Sequence, residues 1–449
     1  MLNFLKNNKL YIVVGGVLIA VLAFSVFNFN RQGSIDNNSG VSEENKEPII
    51  TFTKLVKSIL KDGDKKRTFM ILLQNNMELR PGGGFIGSFA IVKTQGEKVL
   101  SYEIHDTANF DGRIPDIEPM PYPMKEIFGI NAWKLRDSNY SPDFKNNVEK
   151  ALEFYYLGEG KEKFDGVFAI NVALLAEILK LTGPVTLDGF PNTYTSKNVL
   201  VSLEKQVEID FGKQGIERGD RKQVIGVFLK EILSRVKNFS ILDKAKLFKV
   251  LVSQLENKNI QLYFNNEELQ NIAKEANWTG EIDRNWEKDY LIMVDANLGA
   301  YKSDYFVKRS ADYTVDFSGV KPKVTLKIKY NHTAKKKNWL TQDYQSYLRV
   351  YVPRGAQLKS FADIVDEPKI ESAFGKTYFG GLIQIGTGKE KTIKIVYTLP
   401  EGINFDDYVL KIQKQSGVNN VPVKINIISK DSQAKRFDII MDKDVVVKK

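Results

Sequence analysis

The sequence contains no cysteine and only two histidines, His105 and His332. The absence of cysteine excludes disulfide bonds, thiolate metal sites and cysteine nucleophiles. Two histidines are too few for a multi-histidine metal cage or for a relay of several histidines. Any chemistry of this chain therefore depends mainly on carboxylates, arginines and backbone amides.

Charge is absent from one long N-terminal stretch, Leu10–Phe29, which consists mostly of aliphatic residues, phenylalanine and glycine. A helix of this length spans a hydrocarbon core about 30 Å thick, so the stretch predicts a transmembrane helix. A cleaved signal peptide is the alternative, but its apolar region is usually shorter and ends in a small-x-small site. Lys6 and Lys9 precede the stretch, so the positive-inside rule places residues 1–9 in the cytoplasm and the bulk of the chain outside it, on the cell membrane.

The rest of the chain has a globular composition, with 43% hydrophobic and 27% charged residues among 449. This length exceeds one ordinary core and predicts two soluble domains. Residues 30–49, rich in Gly, Ser, Asn and Glu, predict a flexible stalk. We expect an α/β domain over residues 50–299 and a β-sandwich-like domain over residues 300–449.

Strand and helix signals alternate in the first of these domains. Predicted strands are Thr68–Leu73, Phe85–Val92, Val99–Ile104 and Val167–Ile170. Ser141-Pro142-Asp143 predicts a helix start. Residues 167–187 predict a βαβ unit that is closed by Gly183 and Pro184, and an amphipathic helix is expected from about Gly219.

A period of two dominates the second domain. Apolar residues alternate with Thr and Lys from Val324 to Tyr330, and shorter stretches of the same kind follow. The other predicted strands are Tyr347–Val352, Thr392–Tyr397, Val409–Ile412 and Val423–Ile427. Several alternating strands between turn residues are typical of a β-sandwich.

The net charge of +10 and the pI near 9.2 allow a polyanionic partner. Lysine is spread along the whole chain and mixed with acids, and the densest run, Lys335–Lys337, fits a solvated hairpin loop. No basic stripe interleaved with aromatics and no nucleic-acid motif is present. We therefore predict no nucleic-acid partner.

Three stretches carry a family resemblance: Asn75–Gly87 (NNMELRPGGGFIG), Leu135–Asp143 (LRDSNYSPD) and Phe164–Val167 (FDGV). They resemble domain-of-unknown-function family 4012, a family of bacterial membrane-anchored proteins. The resemblance covers roughly residues 65–300. The family name implies no activity.

The layout is also distantly similar to the LytR-CpsA-Psr phosphotransferases, membrane-anchored enzymes that move undecaprenyl-pyrophosphate-linked glycopolymers onto the cell wall. Strand Val99–Ile104 leads to His105-Asp106, and Arg218–Gln223 is similar to an Arg-x-x-Arg-Gln helix entry. The resemblance implies an α/β/α domain, a magnesium ion and a polyprenyl-pyrophosphate ligand. The chain departs from the pattern after Arg80, where Pro81 replaces an expected Asp, and at His105, which replaces an Arg. These departures leave open whether the protein is an enzyme.

Phosphate-binding candidates follow from this resemblance, because a pyrophosphate needs guanidinium forks and backbone N–H groups. The candidates are Arg80, Gly82, Gly83, Arg136, Arg218 and Arg221. The plain alternatives are a flexible hairpin turn for the glycines, a local ion pair for Arg136, and a solvated face for Arg218 and Arg221.

Catalytic and metal-binding candidates are acids and one histidine. Asp106 and Asp137 are the predicted Mg²⁺ ligands, since carboxylates are the usual protein ligands of this ion. Asp106 and His105 are the predicted catalytic residues, with His105 as general base. A lone histidine at a strand end is otherwise simply a polar edge residue.

Two functions are consistent with these residues. The first is binding, with transfer left open, of a lipid-pyrophosphate-linked cell-envelope glycopolymer or another envelope polyanion. If it is an enzyme, it is a magnesium-dependent glycopolymer phosphotransferase. The second is a non-catalytic surface protein for binding, adhesion or scaffolding, which the replacement at His105 and the missing Asp favour.

Overall fold

The computed structural model describes residues 46–61, 63–96 and 98–449. The predicted transmembrane helix at 10–29, the cytoplasmic residues 1–9 and the stalk up to residue 45 lie outside the described residues. Within the described ranges, no helix combines the length and the apolar character needed to cross a membrane.

The described chain forms two compact units that are each assembled from separate stretches of sequence. The first unit contains the residues up to Gln74, Ile86–Ile114 and Tyr155–Thr279. The second contains Asn75–Phe85, Pro115–Phe154 and Gly280–Lys449. The sequence expectation of one division near residue 300 does not include the two short stretches that belong to the second unit.

Helices are concentrated in the first unit. The α-helices are α1 Lys46–Leu60, α2 Thr107–Asp111, α3 Met124–Phe128, α4 Phe144–Leu157, α5 Ala173–Thr182, α6 Val199–Lys205, α7 Phe211–Lys213, α8 Gln223–Lys237, α9 Ile241–Glu256 and α10 Glu267–Glu275. Short 3₁₀ turns lie at Leu135–Asp137, Arg218–Asp220 and Ser303–Tyr305, and one π turn at Gln206–Asp210. The last four residues of the predicted stalk are thus the first turn of α1.

Strands occur in both units. They are β1 Lys66–Asn75, β2 Phe85–Gln95, β3 Lys98–Asp106, β4 Gly166–Asn171, β5 Val185–Leu187, β6 Phe190–Tyr194, β7 Ile260–Phe264, β8 Asp289–Asn297, β9 Val307–Asp316 and β10 Lys323–His332. They continue with β11 Tyr344–Pro353, β12 Gln357–Ala362, β13 Lys369–Ala373, β14 Lys376–Ile385, β15 Glu390–Thr398, β16 Val409–Ile412, β17 Val421–Ile428, β18 Ala434–Met441 and β19 Val445–Lys448.

A mixed five-stranded sheet in the order β3-β2-β1-β4-β7 forms the centre of the first unit. β1 and β4 run parallel, whereas β7 is antiparallel to β4. Every residue of β4 is buried, as expected for a central strand covered on both faces. This mixed α/β architecture confirms the predicted fold class of the region at the level of helices around a sheet.

Helices cover one face of this sheet with apolar stripes. In α8, Val224, Phe228, Leu229 and Ile232 are buried at the spacing of a single helix face. The predicted βαβ unit is wrong, although its three elements exist as β4, α5 and β5. β5 pairs only with β6 in a separate two-stranded sheet, because the chain turns back at Gly189, which has a φ of +81°.

The second unit is rich in β-structure, which confirms the prediction for the C-terminal region. Its two six-stranded sheets have the orders β12-β15-β10-β9-β17-β18 and β13-β14-β11-β8-β16-β19. Inward side chains of both sheets form one hydrophobic core. In β10 the alternating residues Val324, Leu326, Ile328 and Tyr330 are buried, as their period of two predicts.

Candidate functional site

Asp106 ends strand β3 in the first unit and bonds both to the start of helix α2 and to the residue before helix α8. Its Oδ1 accepts hydrogen bonds from the backbone N–H groups of Ala108 at 2.8 Å and Asn109 at 3.2 Å, which makes it the N-cap of α2. Its Oδ2 accepts a hydrogen bond from the Nζ of Lys222, directly before α8. Lys222 also donates to the carbonyl of Gly87 at 3.3 Å. The end of β3, the start of β2 and the start of α8 therefore meet at this carboxylate.

The charge of Asp106 is stabilised by these partners. Burial alone raises the pKa of a carboxyl group, but the Lys222 ammonium and the two backbone N–H groups outweigh burial and lower the pKa of Asp106. The carboxylate is thus ionised at neutral pH. Lys222 lies within the Arg218–Gln223 helix-entry motif, and the fold brings it to Asp106.

His105 lies beside Asp106 in the sequence but faces an aromatic cluster. Its ring stacks on Phe89 at a centroid distance of 4.8 Å, and Phe110 approaches edge-on at 6.3 Å. Burial is the main cause that lowers the pKa of His105; Glu103 opposes this effect and Arg113 adds to it. The imidazole is therefore neutral at pH 7, the form that a general base requires.

The start of α8 carries the two arginines predicted from the helix-entry motif. Arg218 is exposed in the 3₁₀ turn before the helix, and Arg221 is half-buried. The Nε of Arg221 is buried and has no hydrogen-bond partner among the described residues. Because the first N–H groups of a helix lack intrahelical partners and carry partial positive charge, this end of α8 attracts anions.

An apolar cavity of about 40 Å³ lies in the same unit, between helix α1 and the sheet. Phe52, Leu55, Val56 and Ile59 of α1 form one wall. Residues of β1, β4, β7 and α9 form the others, and Thr94 is the one polar side chain in the lining. A volume of this size holds no more than a few water molecules, so a long ligand enters only if α1 moves.

Magnesium has an incomplete ligand set in the described residues. No three Asp, Glu or His side chains there are grouped closely enough to hold a metal ion. Both oxygens of Asp106 already accept hydrogen bonds. Asp137 belongs to the second unit, where it pairs with Arg80. The predicted magnesium site stays a prediction, and we derive no chemical step from it.

Arg80 lies in the second unit and is 2% exposed. Its Nε donates to Asp137 at 2.8 Å, and its two terminal nitrogens donate to Glu78 at 3.0 Å and to the Asn297 carbonyl at 2.9 Å. The guanidinium therefore joins the Asn75–Phe85 stretch to the start of the β-rich region. This network accounts for its position without a phosphate.

The predicted glycine turn is also packed inside the second unit. Gly82 donates to the carbonyl of Asn139 at 2.9 Å, and a Cβ on it would lie 2.3 Å from Asn147 Nδ2. Gly83, with a φ of +134°, places its carbonyl oxygen 2.0 Å from where a Cβ of Gly417 would lie. Arg136 belongs to this unit as well, half-buried in the 3₁₀ turn that contains Asp137.

The phosphate-binding candidates are thus divided between the two units. Arg218 and Arg221 lie in the first, while Arg80, Gly82, Gly83 and Arg136 lie in the second. Within the first unit, the residues brought together are Asp106 and Lys222. Within the second, Arg80 and Asp137 form a buried ion pair that the sequence motifs did not predict.

Comparison with known families identifies a region that includes parts of both units. Residues 64–207 match the model of a family described as protein of unknown function (DUF4012). The resemblance stated from the three sequence stretches is confirmed over this range.

Comparisons with solved structures find only low similarity. Lin1025 of Listeria innocua matches at 14% identity with a TM-score of 0.26, over 48% of this chain and 80% of that one. Lmo1026 of Listeria monocytogenes, fragment 52–321, matches at 17% identity with a TM-score of 0.23, over 51% and 86% of the two chains. No curated protein matches the chain.

Proposed function

We propose that this protein is anchored in the membrane by residues 10–29 and binds a lipid-pyrophosphate-linked glycopolymer outside the cytoplasm. In this proposal the first unit is a LytR-CpsA-Psr-like α/β/α domain and the second a β-sandwich. The membrane location is supported by the uncharged Leu10–Phe29 stretch and its preceding lysines.

The observation that carries the proposal is the basic start of helix α8. Arg218, Arg221 and the first two backbone N–H groups of the helix offer several donors to one pyrophosphate. The buried Nε of Arg221 lacks a partner among the described residues, and a bound anion oxygen would supply one. Asp106 neutralises Lys222 and Asp220 lies in the same turn, so the guanidinium groups of Arg218 and Arg221 are the cationic donors left for a pyrophosphate.

The apolar cavity beneath α1 supports a lipid-linked ligand. An isoprenoid chain is wholly apolar, and its transfer from water to such a lining is favourable. The isoprenoid chain requires more room than the cavity has, so in this proposal the lipid displaces helix α1. Phe52, Leu55 and Val56 then lose contact with the sheet and are replaced by the lipid.

If the protein is an enzyme, it transfers the bound polymer to an acceptor hydroxyl group. An acceptor hydroxyl oxygen forms a bond to phosphorus, the bridging P–O bond breaks, and polyprenyl phosphate leaves. The neutral His105 would take the hydroxyl proton. Arg218 and Arg221 would hold the phosphate oxygens on which charge develops.

A non-catalytic binding or adhesion protein is the second candidate. The specific observation in its favour is that both oxygens of Asp106 are already engaged, by Lys222 and by the α2 backbone. That carboxylate is poorly placed to hold a metal ion as well. The same basic helix start would then bind a polyanion without turnover.

Calorimetric titration of the full chain in detergent with a polyprenyl pyrophosphate tests the proposal. We expect saturable binding that Arg221→Gln weakens about tenfold, the usual size of a lost charge-assisted hydrogen-bond pair. Arg436→Gln, which removes an exposed arginine on β18 in the second unit, is the matched control and should bind normally.

Absence of saturable binding would refute the glycopolymer function and leave the adhesion role. If binding is confirmed, transfer of a radiolabelled polymer to peptidoglycan separates the enzyme from the binder. In that assay His105→Gln should retain binding but lose transfer if the protein is an enzyme.

A further inference from the structure

Exposed aromatic side chains cluster on two loops of the β-rich unit. Tyr301, Tyr305 and Trp339 are 40%, 39% and 39% exposed. Among the described residues, only one other aromatic side chain, Tyr156 in the first unit, has comparable exposure, at 47%. The loop before β9 carries the two tyrosines, and the loop between β10 and β11 carries the tryptophan.

Backbone and side-chain hydrogen bonds hold these two loops together. Lys302 N–H, next to Tyr301, donates to the carbonyl of Leu340, next to Trp339, at 2.9 Å. Below this bond, the buried Thr341 hydroxyl donates to the Ser303 hydroxyl at 3.0 Å. The aromatic residues are therefore carried by a fixed backbone, which is what a binding surface requires. We call Tyr301, Tyr305 and Trp339 the aromatic platform.

The degree of exposure indicates what kind of molecule fits the platform. Each of the three side chains is about 40% exposed, so part of it contacts the protein and part contacts solvent. Partly exposed aromatic rings suit a sugar ring, because the electron-rich face of an aromatic ring stacks against the C–H groups of the sugar. Insertion into a bilayer would instead favour strongly protruding aliphatic and aromatic side chains.

Charge around the platform indicates an acidic ligand. Lys335 and Lys336 are exposed on the same loop as Trp339, and neither forms an ion pair within the described part of the chain. Lys337 is paired with Asp343 at 2.7 Å, so it anchors the loop instead. Two unpaired ammonium groups beside the aromatic rings favour an anionic partner.

We propose that the aromatic platform, together with Lys335 and Lys336, binds an acidic saccharide segment. The sugar rings stack on the aromatic faces, and the two lysines pair with carboxylate or phosphate groups of the saccharide. This inference rests on the proposed glycopolymer partner, since such a polymer supplies the saccharide. It assigns the platform to the sugar part of the ligand and not to the lipid pyrophosphate.

Calorimetric titration of the full chain in detergent with an oligogalacturonate, a uronic-acid oligomer, tests this site. We expect Trp339→Ala to weaken the affinity about tenfold, whereas Trp339→Tyr, which keeps an aromatic ring, should stay within about threefold. Tyr156→Ala removes the exposed aromatic residue of the other unit and should leave the affinity unchanged. Equal binding by all variants, or no saturable binding, would overturn the proposal.

The lysine contribution has its own matched control. The double variant Lys335→Gln/Lys336→Gln should weaken binding at low salt, and the loss should shrink as salt screens the charges. Lys327→Gln/Lys394→Gln removes the same charge from exposed positions on β10 and β15. If both double variants lose the same affinity, the attraction is only net charge and the site is refuted.

Two further measurements separate this site from the alternatives. Trp339→Ala should bind polyprenyl pyrophosphate like the parent chain, so failure at the lipid site and failure at the platform are distinguishable. In proteoliposomes, tryptophan quenching by brominated lipids that disappears in Trp339→Tyr would assign the platform to the bilayer and overturn the saccharide proposal.

Discussion

At the residue scale, Arg80 is the most deeply buried of the arginines predicted to bind phosphate. Its guanidinium is buried between Asp137 and Glu78, with the Asn297 carbonyl as a third partner. Arg80→Met would leave Asp137 buried without its cation and Glu78 with only Lys302, at 4.0 Å. We expect it to lower the free energy of unfolding by about 3–5 kcal/mol, the usual cost of breaking a buried ion pair on one side.

Urea denaturation followed by circular dichroism measures this loss. Arg354→Met, at an exposed arginine of the same unit, should change stability by less than about 0.5 kcal/mol. If Arg80→Met unfolds like the parent chain but loses affinity for polyprenyl pyrophosphate, Arg80 is a ligand and not a structural residue.

Asp289 is a second residue whose environment predicts the direction of a change in stability, here with pH. It is fully buried, and Tyr313 and Tyr408 donate to its Oδ2, each at 2.5 Å. Burial raises its pKa to about 6, although the tyrosine hydrogen bonds oppose this. Between about pH 4 and pH 6 the folded chain therefore holds a proton that the unfolded chain has released.

Asp289 should therefore cost stability as the pH rises. Its contribution to the free energy of unfolding should fall by about 3 kcal/mol between about pH 3 and about pH 7, most steeply from pH 4 to pH 6, and stay constant above that range. Denaturation of the parent and of Asp289→Asn across this range gives the difference curve. Asp431→Asn, at an exposed aspartate, should give a flat difference. A difference that grows in the opposite direction would contradict the raised pKa.

Residue roles were predictable from sequence only where local chemistry decides them. The sequence predicts Asp106 as a magnesium ligand and catalytic residue; the structure shows it as the N-cap of α2, and its bond to Lys222 joins residues 116 positions apart. The Arg80–Asp137 pair spans 57 positions in the same way. Such pairs depend on how the chain folds back, which spacing along the sequence does not encode.

At the scale of secondary-structure elements, helix α1 is one wall of the apolar cavity, and in our proposal the lipid displaces it. Its stripe of Phe52, Leu55 and Val56 is buried, while its polar ties are few, such as Ser58 Oγ to Glu268 Oε1 at 3.4 Å. Because the chain has no native cysteine, Ser58→Cys/Glu268→Cys can be joined with a short bismaleimide. We expect the joined chain to lose at least tenfold in affinity for polyprenyl pyrophosphate, since α1 can no longer move.

The unjoined double variant should bind like the parent chain. Glu177→Cys/Lys180→Cys, joined within α5 at an exposed ion pair, controls for the modification itself. Full affinity in the chain with α1 fixed would show that the lipid does not enter beneath α1.

Strand positions were the most predictable elements. Val324–Tyr330 lies within β10 and Val409–Ile412 coincides with β16, because a period of two reports a face that is buried on one side. The strand with which a given strand pairs is less predictable. The sequence around β5 fits a parallel crossover, but the turn at Gly189 sends the chain back to pair with β6.

At the scale of the whole molecule, the two units are interleaved along the sequence. Asn75–Phe85 and Pro115–Phe154 belong to the β-rich unit although they lie within the predicted α/β domain. The buried Arg80–Asp137 ion pair joins these two stretches to each other, and Arg80 also donates to the Asn297 carbonyl of β8. A change in composition near residue 300 marks where β-structure begins to dominate, but it carries no information about insertions that come earlier.

Membrane orientation is the property of the whole molecule that the sequence predicts most directly. In our proposal the lysines before Leu10–Phe29 keep the N-terminus in the cytoplasm and the described residues lie outside, because positive charge is retained on the cytoplasmic side. A single cysteine at the strongly exposed Leu242, as Leu242→Cys, should react with a membrane-impermeant maleimide on intact protoplasts. Asn3→Cys should react only after the protoplasts are permeabilised. The cysteine-free parent gives the background, and the reverse labelling pattern would place both units in the cytoplasm, where no cell-wall acceptor exists.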